Sequence, residues 1–171
     1  MTAPKPRTPA PELEVETVGG ETWRLADQRP DAFTMIVFYR GLHCPICKPY
    51  TRDLDRKVGA LAERGVSVIM VSGDSRERAE QTKADWGIEN LTVGYGQTVA
   101  SMRQWGLFIS RSIREGEPAE FGEPGVYLIK PDGSVYCAVI NSMPFARPRF
   151  DDVLQAIDIV IEKNYPARGE A

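Results

Sequence analysis

The strongest constraint on this chain is a buried-looking strand that runs straight into a pair of cysteines and then a helix. Met35-Ile36-Val37-Phe38-Tyr39 is an unbroken apolar run, and Thr34 to Tyr39 reads as a central strand covered on both faces. It leads through Arg40-Gly41-Leu42-His43 into Cys44-Pro45-Ile46-Cys47. From Pro45 to Arg64 the apolar residues Tyr50, Leu54, Val58, Leu61 and Ala62 recur at helical spacing, with Gly65 as a stop. This reading puts Cys44 at or next to the N-cap and Pro45 at the first helical position, where a missing N–H costs nothing. The free N–H groups and the positive end of the helix then favour a Cys44 thiolate. Cys47, one turn on, lies near enough to close a disulfide.

The remaining elements fill in an α/β architecture. Residues 1–11 hold four of the thirteen prolines and no apolar period, so they are expected to be a flexible arm. Residues 12–165 form the domain and residues 166–171 a polar tail. Leu13 to Val18 and Thr22 to Leu25 alternate around Gly19-Gly20, as a β-hairpin does. Val66 to Val71 is a second buried strand. Ser75, in Gly73-Asp74-Ser75, is placed to cap a helix from Arg76 to Trp86, and Gly87 closes it. A short strand at Leu91 to Val93 and a helix from Gln97 to Trp105 follow, then a hairpin of Gly125 to Lys130 with Ser134 to Ile140. Phe150, Val153, Leu154, Ile157, Val160 and Ile161 make the apolar stripe of a last helix. Strands alternating with helices imply a central mixed sheet with helices on both faces.

Composition narrows the function classes. The chain has 171 residues, of which 26% are charged, with formal net charge −3 and no basic stripe, which argues against a nucleic-acid binder. No apolar run approaches the roughly 20 residues of a membrane span, and no signal-like segment follows the start. A cytoplasmic protein is expected. Three cysteines are too few, and odd in number, for a disulfide-stapled secreted domain.

In a reducing compartment a close cysteine pair serves redox chemistry, binds metal or is inert core. A dithiol cycle needs a nucleophile and a resolving partner three residues apart, which Cys44 and Cys47 supply. A zinc site would need two more ligands, and only His43 and Cys137 remain among soft donors, so neither metal nor cofactor is expected. Beside the pair, His43 is either an electrostatic neighbour of Cys44 or a solvated loop residue. Arg40 either supplies positive charge or is an exposed strand end. Arg147 and Arg149 read as surface loop charges, Cys137 as a small strand residue, and the three tryptophans as packing.

Phe38-Tyr39-Arg40-Gly41-Leu42-His43-Cys44-Pro45-Ile46-Cys47 resembles the signature of peroxiredoxin-like proteins of the alkyl hydroperoxide reductase / thiol-specific antioxidant (AhpC/TSA) group in the thioredoxin-fold superfamily. Val68-Ile69-Met70-Val71-Ser72-Gly73-Asp74-Ser75, Trp105-Gly106-Leu107 and Gly125-Val126-Tyr127-Leu128-Ile129-Lys130-Pro131-Asp132-Gly133 resemble further motifs of that group, in the same order. The resemblance implies a thioredoxin-like fold with a peroxiredoxin-like elaboration. It also implies an antioxidant oxidoreductase reducing hydroperoxides through a Cys44/Cys47 cycle, reset by thioredoxin, glutaredoxin or a small thiol, in a chain that can form a homodimer. The family's P-x-x-x-T-x-x-C pattern is not kept in either register, and Pro124 stands where its arginine is expected. Thioredoxin-like disulfide reductases carry a cis-proline at that place, so a cis Glu123–Pro124 bond packed against the cysteines is expected. Protein-disulfide exchange therefore stays open as an alternative, as does a non-catalytic redox-sensing module. Cys44 is expected to be the most acidic and most exposed thiol, with Cys137 free in both redox states.

Overall fold

The computed structural model describes residues 2–171. Strands β1 (Glu14–Thr17) and β2 (Thr22–Arg24) form the N-terminal hairpin, and β3 (Phe33–Phe38) leads towards α1 (Cys47–Glu63). Then follow β4 (Val66–Val71), α2 (Arg76–Asp85), β5 (Thr92–Tyr95) and α3 (Val99–Gln104). A small hairpin of β6 (Ile109–Arg111) and β7 (Glu120–Gly122) precedes β8 (Gly125–Ile129), β9 (Val135–Ile140) and α4 (Phe150–Lys163).

Seven strands make one sheet in the order β2-β1-β5-β4-β3-β8-β9. β3, β4 and β5 are parallel, as helical crossovers require, while β1 pairs β5 and β8 pairs β3 antiparallel, each bringing its hairpin partner to an edge of the sheet. The apolar residues of β3 divide by the period-2 rule: Met35 and Val37 face one core with Leu54 of α1 and Ile157 of α4, and Ile36 and Phe38 face another with Met102 and Trp105. Both cores are dry, with Met35, Ile36, Leu54, Trp105 and Ile157 fully or almost fully shielded. This is the mixed α/β sheet, covered on both faces, that the alternation of elements implied.

Three differences from the sequence reading stand out. The helix begins at Cys47 rather than Pro45. The Cys44 amide donates to the Gly41 carbonyl and the Cys47 amide to the Cys44 carbonyl (both 3.1 Å), so a separate turn precedes it. Pro49 accordingly falls in the first helical turn, where its missing N–H breaks no ladder bond. The β6–β7 hairpin was not expected, because three-residue strands show too little alternation to register. The arm is also tied down: Arg7 and Ala10 donate to Val135 and Gly133 carbonyls, and Val135 donates to Thr8.

Candidate active site

Cys44 and Cys47 lie where β3 gives way to α1, and both are free thiols with no solvent exposure. The expectation that Cys44 would be the most exposed thiol is therefore corrected, since Cys137, half-buried on β9, is more exposed than either. The cover comes from elements distant in sequence. Phe121, at the end of the unforeseen hairpin, packs against the His43 ring (centroids 4.6 Å apart) and under the Arg40 guanidinium (4.7 Å). The loop between β9 and α4 brings in Arg147, whose Nη1 donates to Cys47 Sγ at 3.4 Å and Nη2 to the Ile46 carbonyl at 3.2 Å.

The two thiols titrate as neighbours, and the pair holds a single negative charge more easily than two. The Cys47 thiol donating to Cys44 lowers the Cys44 pKa to about 6 against the cost of burial, with the Cys47 N–H, Arg147 and Arg40 helping. Burial and the neighbouring Cys44 charge push Cys47 up. Cys44 is thus the acidic partner, as expected, with Cys47 as the largest influence on it. Cys137 is pushed up by burial alone.

Asp74, buried at the end of β4, fixes the approach to the cysteines. Its Oδ2 accepts from the Leu42 amide at 2.8 Å and its Oδ1 faces Arg78 Nε at 3.2 Å. Gly41 turns the chain there with φ +124°, and a Cβ on it would sit 2.7 Å from Asp74 Oδ1, so no other residue fits without displacement. Ser75 caps α2 from the same turn, as its type and position suggested.

Arg40 is not a free strand-end charge. Its Nε lies 3.3 Å from Glu123 Oε2, both side chains are largely buried, and Ser110 Oγ donates to Glu123 Oε1 at 2.6 Å. Burial lowers the His43 pKa, so its imidazole is neutral at pH 7, and both ring nitrogens are shielded without a hydrogen-bond partner among the described residues.

No peptide bond is cis among the described residues, so Glu123–Pro124 is trans and that expectation is corrected. The physical reason is local: Glu123 N–H pairs with the Phe108 carbonyl, and the Pro124 carbonyl accepts from Asn141, so the segment runs on in extended pairing without needing a reversal. Pro124 is buried and anchors the start of the loop that carries Arg147.

Arg147, which the sequence reading placed on the surface, is brought by the structure to the Cys47 sulfur. Its Nε also donates to the Pro144 carbonyl (2.8 Å), and its guanidinium lies 4.2 Å over the Tyr50 ring, whose hydroxyl donates to the Pro148 carbonyl (2.7 Å). A loop with prolines on both sides of an arginine, just before a helix, was the only local hint. Among the described residues no three His, Cys, Asp or Glu side chains gather as a metal site would require, and no helix is long and apolar enough to cross a membrane.

With this geometry the chain joins a known group. Residues 6–138 match the AhpC/TSA family, and the chain belongs to it. In structure it is similar to a peroxiredoxin-like protein from Aquifex aeolicus, with TM-score 0.75 and 21% identity over 92% of this chain and 88% of that one. It is also similar to a cysteine-to-serine mutant of peroxiredoxin 6 of Arenicola marina (TM-score 0.75, 16% identity, 93% and 74% covered). Peroxidoxin BcpB from Mycobacterium tuberculosis gives TM-score 0.74 at 16% identity, with 92% and 98% covered. At these identities the likeness is one of fold. No curated protein sequence matches the chain.

Proposed function

We propose that the protein is a thiol-dependent peroxidase in which Cys44 attacks a hydroperoxide and Cys47 resolves the product as an intramolecular disulfide. The observation that carries this reading is the buried thiol pair itself, with Cys44 held as the thiolate by Cys47 and two arginines near the sulfurs. The thiolate displaces the terminal peroxide oxygen's partner: an S–O bond forms, the O–O bond breaks, and the departing oxygen takes a proton and leaves as alcohol or water. The Cys44 sulfenic acid then condenses with the Cys47 thiol, releasing water and forming the disulfide. A dithiol reductant such as thioredoxin, glutaredoxin or a small thiol restores both thiols by exchange.

The arginines act on charge. Arg147 on Cys47 and Arg40 near Cys44 offset the cost of a thiolate in a buried site and stabilise negative charge as the O–O bond breaks. Neutral His43, wedged against Phe121, adds no charge and positions the loop. Access requires movement of residues 141–149, whose Met143 and Phe145 stand exposed at the loop's outer edge. Pro124 in a trans bond lacks the feature that favoured protein-disulfide exchange, so peroxide reduction is the preferred reading.

Peroxide consumption with dithiothreitol and with thioredoxin, by wild type, Cys44→Ser and Cys47→Ser, tests this directly. Wild type turns over and Cys44→Ser does not. Cys47→Ser performs one turnover and yields a dimedone adduct on Cys44 by mass spectrometry. An adduct on Cys47 in the Cys44→Ser protein with retained turnover reverses the roles, and no consumption by wild type sinks the peroxidase reading.

A further inference from the structure

On the side of the sheet that carries the cysteines, α4 does not close fully on β8 and β9. A groove of about 650 Å³ runs between them, within the size range of small-molecule sites. Val126, Leu128 and Val139 form its floor, and Val153, Ile157 and Val160 its helical wall. That wall spans two turns of α4, about 10 Å. Only two charged side chains line it, Asp152 in the first turn of α4 and Arg168 beyond the helix's other end. Water in such a lining finds few partners, so an occupant that brings methylene groups recovers hydrophobic free energy.

Two observations define the occupant. First, the groove is narrowed by a clasp between the chain's ends: Arg7 Nε donates to the Ala167 carbonyl (2.9 Å), Arg7 Nη1 lies 3.3 Å from Glu170 Oε1, and Tyr136 donates to the Tyr165 carbonyl (2.8 Å). A partner helix or strand would have to break this clasp, whereas a slender chain threads beneath it. Second, Arg168 at the mouth donates to the Tyr165 hydroxyl (3.4 Å) but has no carboxylate within 4.0 Å among the described residues, while Arg7 and Arg64 nearby in the fold have theirs. The mouth offers one cation above an apolar channel, engaged in no direct ion pair although its charge reaches Glu170.

We infer that the groove binds an unbranched alkyl chain ended by a carboxylate, with the chain between α4 and β8–β9 and the carboxylate on Arg168. The inner end of the groove reaches Pro148, next to the Arg147 that touches Cys47, so occupancy bears on the loop covering the thiols. Cys137 lines the groove and reports on it.

Binding is read with cis-parinaric acid, a fluorescent fatty acid, displaced by palmitate or by 1-hexadecanol, in wild type, Ala156→Trp and Arg168→Glu. Ala156 lines the groove from an exposed position on α4, so tryptophan fills the channel with little cost to folding. Wild type binds saturably, and Ala156→Trp abolishes binding. Arg168→Glu weakens palmitate about five-fold and leaves hexadecanol unchanged. Palmitate also slows N-ethylmaleimide labelling of Cys137, followed on its peptide by mass spectrometry. No saturable binding, or binding that survives Ala156→Trp, overturns the inference. So does a wild-type dimer that Ala156→Trp dissociates while neither protein binds fatty acid, which would assign the groove to a second copy. Because binding is read without turnover, the result stands or falls separately from the peroxidase reading.

Discussion

Arg147 and Cys47 lie 100 residues apart in sequence and meet through a 3.4 Å contact from Nη1 to Sγ. The same guanidinium is held by the Pro144 and Ile46 carbonyls and by the Tyr50 ring, so its position does not depend on the sulfur. A cation fixed in this way is preorganised for a thiolate in a buried site, where one unpaired charge is expensive. The family's P-x-x-x-T-x-x-C pattern is absent from this sequence, and Arg147 and Arg40 supply the charge that remains.

Removing that cation tests its role. Arg147→Met should raise the midpoint of Cys44 alkylation by about one pH unit and slow peroxide reduction at pH 7 roughly tenfold, since a nearby opposite charge favours the ionised thiol. Arg147→Lys should recover part of both. Iodoacetamide labelling across pH gives the midpoint; one that does not move in Arg147→Met shows that the arginine only packs.

Ionisation of Cys44 also makes stability depend on pH. Its folded pKa is lowered from 9.0 to about 6, so the folded state holds fewer protons than the unfolded state between those values. Stabilisation from this group is complete above pH 9, falls as pH drops through that window, and is gone below pH 6. In the presence of reductant, the melting temperature of wild type relative to Cys44→Ser should rise from pH 6 to pH 9. A constant difference across that range is the contrary result.

Much of this was legible in the sequence because it is local. The two-faced apolar run of β3, the helical spacing of Leu54, Val58 and Leu61, the Ser75 cap and the cysteine spacing each report on a few neighbouring residues. The site's cover was not legible for the opposite reason. Phe121 comes from a hairpin of two three-residue strands, too short to show a period, and Arg147 comes from a loop whose direction is fixed only by tertiary hydrogen bonds. Exposure of Cys44 was misjudged because the thiol sits at a chain reversal, which reads as surface, while tertiary packing leaves it no exposure. Arg40 looked like a strand-end charge because Glu123, its partner, lies 83 positions along the chain.

The Gly41–Asp74 approach gives a second structural test. Alanine at 41 would need φ near +124° and would place its Cβ 2.7 Å from a buried carboxylate oxygen. Gly41→Ala should destabilise the protein by about 1–3 kcal/mol and disturb the cysteine loop. Asp74→Ala relieves the clash but leaves the Leu42 N–H without its acceptor, so the double variant should not recover peroxide turnover. Denaturant melts and turnover of the three variants measure both effects, and full recovery in the double variant shows that the Leu42 contact does not matter.

Asp55 is the buried carboxylate that ties α1 to the start of β5. Its Oδ1 accepts from the amides of Asn90 and Leu91 (both 2.8 Å) and its Oδ2 from Glu89 (3.2 Å) and from the Asn90 side chain (3.3 Å). Burial opposes its ionisation, but the amides of Leu91, Asn90 and Glu89 outweigh that and hold the carboxyl below its ordinary value of 3.8. The stabilisation is therefore present above pH 3.8 and lost as the pH falls through the lower folded value, so Asp55 contributes to acid unfolding and not to any change near neutrality. Asp55→Ala strands three backbone donors at once and should cost about 2–4 kcal/mol at pH 7. Asp55→Asn keeps one carbonyl acceptor and should cost less. The gap between wild type and Asp55→Ala in urea melts should narrow as pH falls below 4. A gap that stays constant to pH 2 would mean that the site acts through packing and not through the charged hydrogen bonds.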